Sequence, residues 1–278
     1  MNIKDNENLS KEDKEKYFKL KNIIKDMDKV LVAFSAGVDS TFLLKTALES
    51  LGEENVLAVT AGSPIRFRNM ITKAEQIAGV LGARHKVIET AELDDEDFKE
   101  NGSLRCYYCK YDLYKALKKT AEREDINYIL DGTNADDGDK DDRPGIKAID
   151  ELNIRTPLKD VGLEKKDIRN ISRELNLSTW NQPSDTCLAT RFAYGLEINR
   201  ENLNKLREIE NYLERYGLEQ LRVRVHDRNT VRIEVMPKDM EIIMDNRCAI
   251  SDKIKEFGYN YVTLDLEGYR SGSMNEAI

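Results

Sequence analysis

The sequence predicts an α/β protein: a doubly wound, mostly parallel sheet over residues 1–190, then a smaller C-terminal α+β domain over residues 191–278. Three observations predict this. Short apolar strands alternate with helical patterns up to residues 185–200, as βαβ units require. Beyond about residue 200 the pattern switches to strictly alternating strands flanked by helices. The chain has 278 residues, 40% of them hydrophobic, enough for a real core and for more than one domain.

The elements follow in order. Leu9 to Met27 reads as an amphipathic helix, with Tyr17, Leu20, Ile24 and Met27 at helical spacing. Lys29–Phe34, Val56–Thr60, His85–Glu89 and Tyr128–Asp131 read as short buried strands. Helical patterns lie between them at Ser40–Leu51, Arg66–Leu81 and Tyr107–Glu124. In the second domain Asn202–Tyr216 is helical. Leu221–His226 and Val231–Val235 then form a half-exposed hairpin around an Asp227–Thr230 turn. Asp239–Phe257 reads as one more helix and Tyr261–Leu266 as one more strand. The acidic stretch Glu92–Glu100 reads as a solvated loop; Asp136–Asp142 is a second acidic patch.

Charged residues make up 35% of the chain, and 44 Lys+Arg against 52 Asp+Glu leave a net charge of −8. An acidic balance argues against nucleic acid as partner, because phosphate neutralisation needs clustered positive charge. No apolar run approaches the ~18 residues that span a bilayer, and Met1 to Lys16 is too charged for a signal peptide. The expectation is a cytoplasmic protein away from membranes. Four cysteines are too few for a disulfide framework, so they are weighed first as metal or catalytic residues.

The sharpest local signal is Ser35-Ala36-Gly37-Val38-Asp39-Ser40, between an apolar strand and a helix. Small residues opening a helix present unpaired backbone N–H groups and a positive dipole end, both suited to phosphate. Ser35, Ser40 and Thr41 add hydroxyls, and Gly37 allows close backbone approach or a positive φ. The Asp39 carboxylate would repel phosphate unless a divalent cation lies between, which implies Mg²⁺. The bland alternative is a tight strand-to-helix turn. The hexapeptide resembles the S-G-G-x-D-S loop of the PP-loop ATP pyrophosphatase superfamily, with Ala36 in place of one glycine. That resemblance implies ATP binding by Ser35, Ala36, Gly37, Val38, Asp39, Ser40 and Thr41, with Thr60, Gly132 and Asn134 nearby, and cleavage between the α and β phosphates.

Three more stretches narrow the resemblance: Asp131-Gly-Thr-Asn-Ala-Asp-Asp137 with Arg143-Pro-Gly145, Pro183-Ser-Asp-Thr-Cys-Leu-Ala-Thr-Arg191, and Leu264-Asp-Leu-Glu-Gly-Tyr-Arg-Ser-Gly-Ser-Met-Asn275. With the loop they look like the LarE-type sulfur transferases, from about Val30 to Asn275. The resemblance implies sulfur insertion into pyridinium-3,5-biscarboxylic acid mononucleotide in nickel-pincer nucleotide biosynthesis. Each carboxylate would be adenylated, and sulfur would then displace AMP. Asp39 and Cys187 are the implied catalytic residues, and sulfide or another sulfur donor the co-substrate. A homo-oligomer is expected.

Members of this family differ in their cysteines. Some resemble suicide enzymes in which one cysteine, at the place of Cys187, gives up its sulfur. Others carry three cysteines that hold a 4Fe-4S cluster with an open iron. Here Cys106 and Cys109 form a C-x-x-C pair opening a helix and Cys187 is a third thiol, so the resemblance implies a 4Fe-4S cluster on these three. Zinc, a redox pair and inert thiols are the alternatives. Cys248 has no thiol neighbour in sequence and reads as structural.

Other residues say less. His85 reads as a scaffold histidine. Trp180 and Tyr108 suit either ring stacking or core packing. Arg222 and Arg224 share a strand face with His226, and with Arg270 beside Ser271 and Ser273 they are the candidate grip on a substrate phosphate. Solvated arginines are the alternative. Competing functions are a tRNA thiolase, an amide-forming ATP pyrophosphatase, and a nucleotide sensor without turnover.

Overall fold

The computed structural model describes residues 3, 6–66, 69–138, 144–183, 187–270 and 272–276. Arg143, the stretch 184–186 and Ser271, part of the motifs quoted above, lie outside the described residues. The chain divides into two compact units. The first comprises Met1–Ser63, Arg68–Glu92 and Cys106–Asp185, and the second Pro64–Phe67, Leu93–Arg105 and Thr186–Ile278. Instead of a single division after residue 190, two short earlier segments belong to the second unit.

The first unit is built on four parallel strands, β1 (Val30–Ala33), β2 (Val56–Gly62), β3 (Arg84–Glu89) and β4 (Tyr128–Leu130), in the order β3-β2-β1-β4. Its helices are α1 (Lys11–Lys25), α2 (Val38–Leu51) and α3 (Asn69–Leu81), then, beyond α4 (Glu96–Lys99) of the second unit, α5 (Arg105–Arg123), α6 (Gly145–Glu151), α7 (Pro157–Asp160) and α8 (Lys165–Glu174). The alternation within β1 decides the winding. Val30 and Val32 join Tyr17, Leu20, Ile24, Phe42 and Leu43 in one core, on the side of α1 and α2. Leu31 joins Leu57, Val59, Tyr114, Leu117 and Ile149 in another, on the side of α5 and α6. Both faces of the inner strands are therefore covered, as continuous apolar strands demand, whereas the edge strand β3 is not buried as its sequence suggested: none of its six residues is fully buried.

The first helix starts two residues later and ends two residues earlier than its periodicity alone suggests. Ser10 caps α1 by accepting from the Asp13 N–H at 3.0 Å, so Leu9 falls before the helix. The sequence reading omits α8, which begins with a reciprocal cap between Glu164 and Asp167 and buries Ile168 and Ile171.

The second unit carries α9 (Arg200–Glu214), an antiparallel pair β5 (Leu221–Val225) and β6 (Thr230–Val235), helices α10 (Met240–Asp245) and α11 (Arg247–Lys255), and β7 (Tyr261–Leu264), parallel to β6. Three expectations are corrected. The hairpin is not half-exposed: every residue of β5 is buried, Arg222 and Arg224 included. The single helix over 239–257 is two, divided at Asn246, whose side chain donates to the Ile242 carbonyl at 2.8 Å and leaves the helical conformation. The stretch 92–100 is not a solvated loop: Glu92 and Phe98 are buried, and α4 forms behind an Asp95 cap. No helix among the described residues is long and apolar enough to cross a membrane.

Candidate functional site

The chain leaves β1 through Phe34, whose N–H donates to the Val59 carbonyl at 2.8 Å. Turning from strand into α2 within four residues requires one left-handed residue. It is Ala36, at φ +56° and almost fully buried, and not Gly37, which caps α2 at φ −84°. A Cβ costs roughly 1–2 kcal/mol in that region, so the loop carries backbone strain at its centre. The Ser40 hydroxyl lies 3.1 Å from Ser35 Oγ, accepts from the Ser35 N–H at 3.3 Å and donates to the Gly37 carbonyl at 3.3 Å. Val38 is buried beneath the loop, and Thr41 Oγ1 is buried with no hydrogen-bond partner among the described residues. An orphan hydroxyl on the first turn of a 14-residue helix, beside unpaired N–H groups, suits an anionic ligand.

Gly132 borders this turn. A Cβ there would lie 3.2 Å from the Ser40 backbone nitrogen and 3.4 Å from the Asp39 carbonyl carbon, so glycine is needed for close approach. Asn134 follows, its side chain accepting from the Asp136 N–H at 2.9 Å and donating to Asp39 Oδ1 at 3.4 Å. The other Asp39 oxygen is paired with the Lys165 ammonium. Lys165 opens α8, and its N–H donates to Asp136 Oδ2 at 2.7 Å. The sequence reading misses Lys165. The cap Glu164…Asp167 marks a helix start there, but nothing local says that its side chain reaches a residue 126 positions away.

Thr60 is fully buried and works on the loop from behind. Its hydroxyl donates to the Phe34 carbonyl at 2.8 Å, and His85 Nε2 lies 2.8 Å from the Thr60 hydroxyl oxygen. The single hydroxyl proton is spent on the carbonyl, so Nε2 must be the donor, and burial holds the His85 pKa below its usual range. Asp131, at the end of β4, accepts from the Thr133 N–H at 2.9 Å and the Tyr114 hydroxyl at 2.7 Å. Burial pushes its pKa up, but Lys110, 3.9 Å away, and the hydroxyl donors outweigh that and hold it below the usual carboxylate range. A hard oxygen ligand such as the Asp39 carboxylate suits Mg²⁺, which needs only one or two protein groups beside phosphate oxygens.

The thiols fall in both units. Cys106 and Cys109 sit on the first turn of α5, the former exposed and the latter half-buried. Beside them Tyr107, Tyr108 and Tyr111 make ring contacts at 5.4 and 5.7 Å. The Tyr107 hydroxyl donates to Glu151 at 2.7 Å, a bond that pushes its pKa up to about 12. Cys187, half-buried in the second unit, precedes a short 3₁₀ turn, Leu188–Arg191. Its carbonyl accepts from the Thr190 hydroxyl at 2.7 Å and the Arg191 guanidinium at 3.2 Å. Three thiols match an iron–sulfur donor set in kind. Among the described residues no three Cys, His, Asp or Glu side chains gather as a metal site. Cys248 is exposed on α11, so it has no core-packing role.

The candidate phosphate arginines are all engaged. Arg222 donates to the Leu221 carbonyl at 2.6 Å and lies over the Tyr269 ring. Arg224 donates to Glu234 at 2.9 Å and to the Thr190 carbonyl at 3.3 Å. Arg270 is held by Asp265, Glu267 and Glu276 at 3.0–3.3 Å. Ser273 does not converge with it: its hydroxyl donates to the buried Glu234 at 2.6 Å.

No family model matches the chain. It is similar along most of its length to three curated proteins. An uncharacterised protein of Synechocystis is 38% identical over 261 residues, covering 93% of this chain and 96% of the relative. A pyridinium-3,5-bisthiocarboxylic acid mononucleotide synthase of Lactiplantibacillus plantarum is 35% identical over 255 residues, 92% of each chain. An uncharacterised protein of Methanocaldococcus jannaschii is 34% identical over 259 residues, covering 92% and 98%. With the strained β1–α2 loop and its orphan hydroxyl in a parallel sheet, the chain belongs to the family of that mononucleotide synthase, the LarE-type branch of the PP-loop proteins.

Proposed function

We propose that this chain is an ATP-dependent sulfurtransferase that converts pyridinium-3,5-biscarboxylic acid mononucleotide to its thiocarboxylate form in nickel-pincer nucleotide biosynthesis. The observation that carries this is the match along 92% of the chain to the synthase so named, together with a phosphate-ready β1–α2 turn. A substrate carboxylate oxygen attacks the α-phosphorus of ATP, the bond to the β-phosphate oxygen breaks, and pyrophosphate leaves. A sulfide sulfur then attacks the acyl carbon and AMP departs, leaving a thiocarboxylate.

The residues of the chain divide this work. Ser35, Gly37, Ser40 and Thr41 bind the phosphates through hydroxyl and backbone donors, and Ala36 and Val38 shape the turn. Asp39 would hold Mg²⁺, Asn134 is a further ATP-site residue whose amide donates to the Asp39 carboxylate, Gly132 clears space and Thr60 fixes the Phe34 carbonyl. Cys106, Cys109 and Cys187 would hold a 4Fe-4S cluster, which would supply a docking site for exchangeable sulfide. Arg270, ahead of Arg222 and Arg224, would take the substrate phosphate: Arg222 and Arg224 are buried, whereas Arg270 is partly exposed and a phosphate would displace one of the three carboxylates it faces.

Two measurements test this. Asp39→Asn should keep its fold and lose substrate-dependent AMP and pyrophosphate; release at the wild-type rate would overturn the ATP site. Protein purified without oxygen should contain iron and absorb as a cluster, and Ala at Cys106, Cys109 or Cys187 should remove that absorbance while Cys248→Ala should not. Stoichiometric zinc in place of iron overturns the cluster. A mass loss of one H₂S at Cys187 per turnover would instead establish that cysteine as the sacrificial donor.

A further inference from the structure

We propose that Lys165 is a built-in place-holder for the divalent cation: its ammonium neutralises Asp39 in the empty site and passes to the nucleotide phosphates when Mg²⁺ takes the carboxylate. This rests on the ATP site assigned to the Ser35–Ser40 loop, and it adds a step that the loop alone does not contain.

The geometry is a closed ring of four residues, joined through side chains and two backbone N–H groups. Asp39 pairs with Lys165 and accepts from Asn134 at 3.4 Å; Asn134 accepts from the Asp136 N–H at 2.9 Å; Asp136 accepts from the Lys165 N–H at 2.7 Å. The ring fixes the Lys165 backbone through Asp136 and through the Glu164–Asp167 cap of α8. Its flexible four-carbon stem leaves only the ammonium free to relocate. The pair is also placed where exchange is cheap. The Lys165 side chain is 30% exposed and that of Asp39 22%, and an ion pair so wetted contributes little.

The need for exchange comes from charge. Asp39 is the second residue of α2, beside the N–H groups and the Thr41 hydroxyl that suit phosphate. A bare carboxylate there opposes an anion, whereas a lysine-paired one does not. Once Mg²⁺ bridges Asp39 and phosphate, the ammonium has no reason to stay on the carboxylate and has a polyanion within its reach to pair with. Lys165 thereby becomes a positioning residue for the leaving pyrophosphate.

The experiment measures two affinities that must move in opposite directions. Mn²⁺ binding to the full chain without nucleotide is followed by electron paramagnetic resonance. Inorganic tripolyphosphate binding with all divalent metal chelated is followed by calorimetry. Lys165→Gln should bind Mn²⁺ more tightly than wild type, by about tenfold on the scale of one charged contact. It should bind metal-free tripolyphosphate more weakly by a similar factor, and Lys165→Arg should restore the latter. The Mn²⁺ gain should vanish when Asp39→Asn is added. Equal Mn²⁺ affinity in wild type and Lys165→Gln overturns the place-holder, and so does a parallel loss of both ligands, which would mark Lys165 as a support of the fold. If the opposite shifts appear but no substrate yields pyrophosphate, the sulfurtransferase assignment fails and the place-holder stands.

Discussion

The nucleotide loop of the first unit and the strand pair of the second handle charge in opposite ways. Around the loop, polar groups are left available: among the described residues the Thr41 hydroxyl has no partner, and Asp39 meets a partly exposed lysine and the Asn134 amide. Around β6, charge is sealed. Glu234 is fully buried and takes Arg224 at 2.9 Å, Arg232 at 2.8 Å and the Ser273 hydroxyl at 2.6 Å, so both its oxygens are engaged. Arg191, also fully buried, pairs with Glu210 at 3.1 Å, and Glu210 in turn accepts from the Val223 N–H at 2.9 Å. Buried charge of this kind holds strands and loops in one arrangement, and removing one partner strands the others. The contrast teaches that an arginine in a functional-looking pattern has to be judged by its partners, since a saturated one is already spent on the fold.

Substitution at Glu234 breaks the sealed side and has the largest expected effect. Glu234→Gln leaves two arginines without their buried carboxylate and should cost about 3–5 kcal/mol of stability in chemical denaturation. A loss below 1 kcal/mol would mean that Asp265 and water replace it, and that the network is not sealed. On the open side, Gly132→Ala places a Cβ 3.2 Å from the Ser40 nitrogen, so the backbone there must shift by a few tenths of an ångström. The expected cost is about 1–3 kcal/mol, accompanied by weaker ATP binding. Unchanged ATP affinity would show that Gly132 serves packing alone.

The smallest effect sharpens the comparison. Ala36→Gly relieves a left-handed alanine but adds freedom to the unfolded chain, and the two effects, each of about 1 kcal/mol, nearly cancel. Stability should therefore shift by less than about 0.5 kcal/mol, while ATP affinity falls because a preorganised turn has been loosened. A β-branched residue at the same place has no such compensation: Ala36→Val should destabilise by more than Ala36→Gly in either direction. Equal stability of the two variants would contradict the strain assigned to the turn.

Sequence alone determined what depends on neighbours in the chain. The alternation of strands with helices, the small residues of Ser35–Ser40 and the C-x-x-C spacing follow from periodicity, sterics and turn length, which act over a few residues. Tertiary structure decided what depends on partners far along the chain. Lys165 reaches Asp39 across 126 positions, Arg224 of β5 is sealed by Glu234 of the neighbouring strand β6, and Arg191 pairs with Glu210. Segments 64–67 and 93–105 join the second unit although their composition does not mark them off. Ion pairs and burial are set by distance in space, to which local pattern is blind, so an arginine on a strand reads the same whether it awaits a phosphate or already holds a carboxylate.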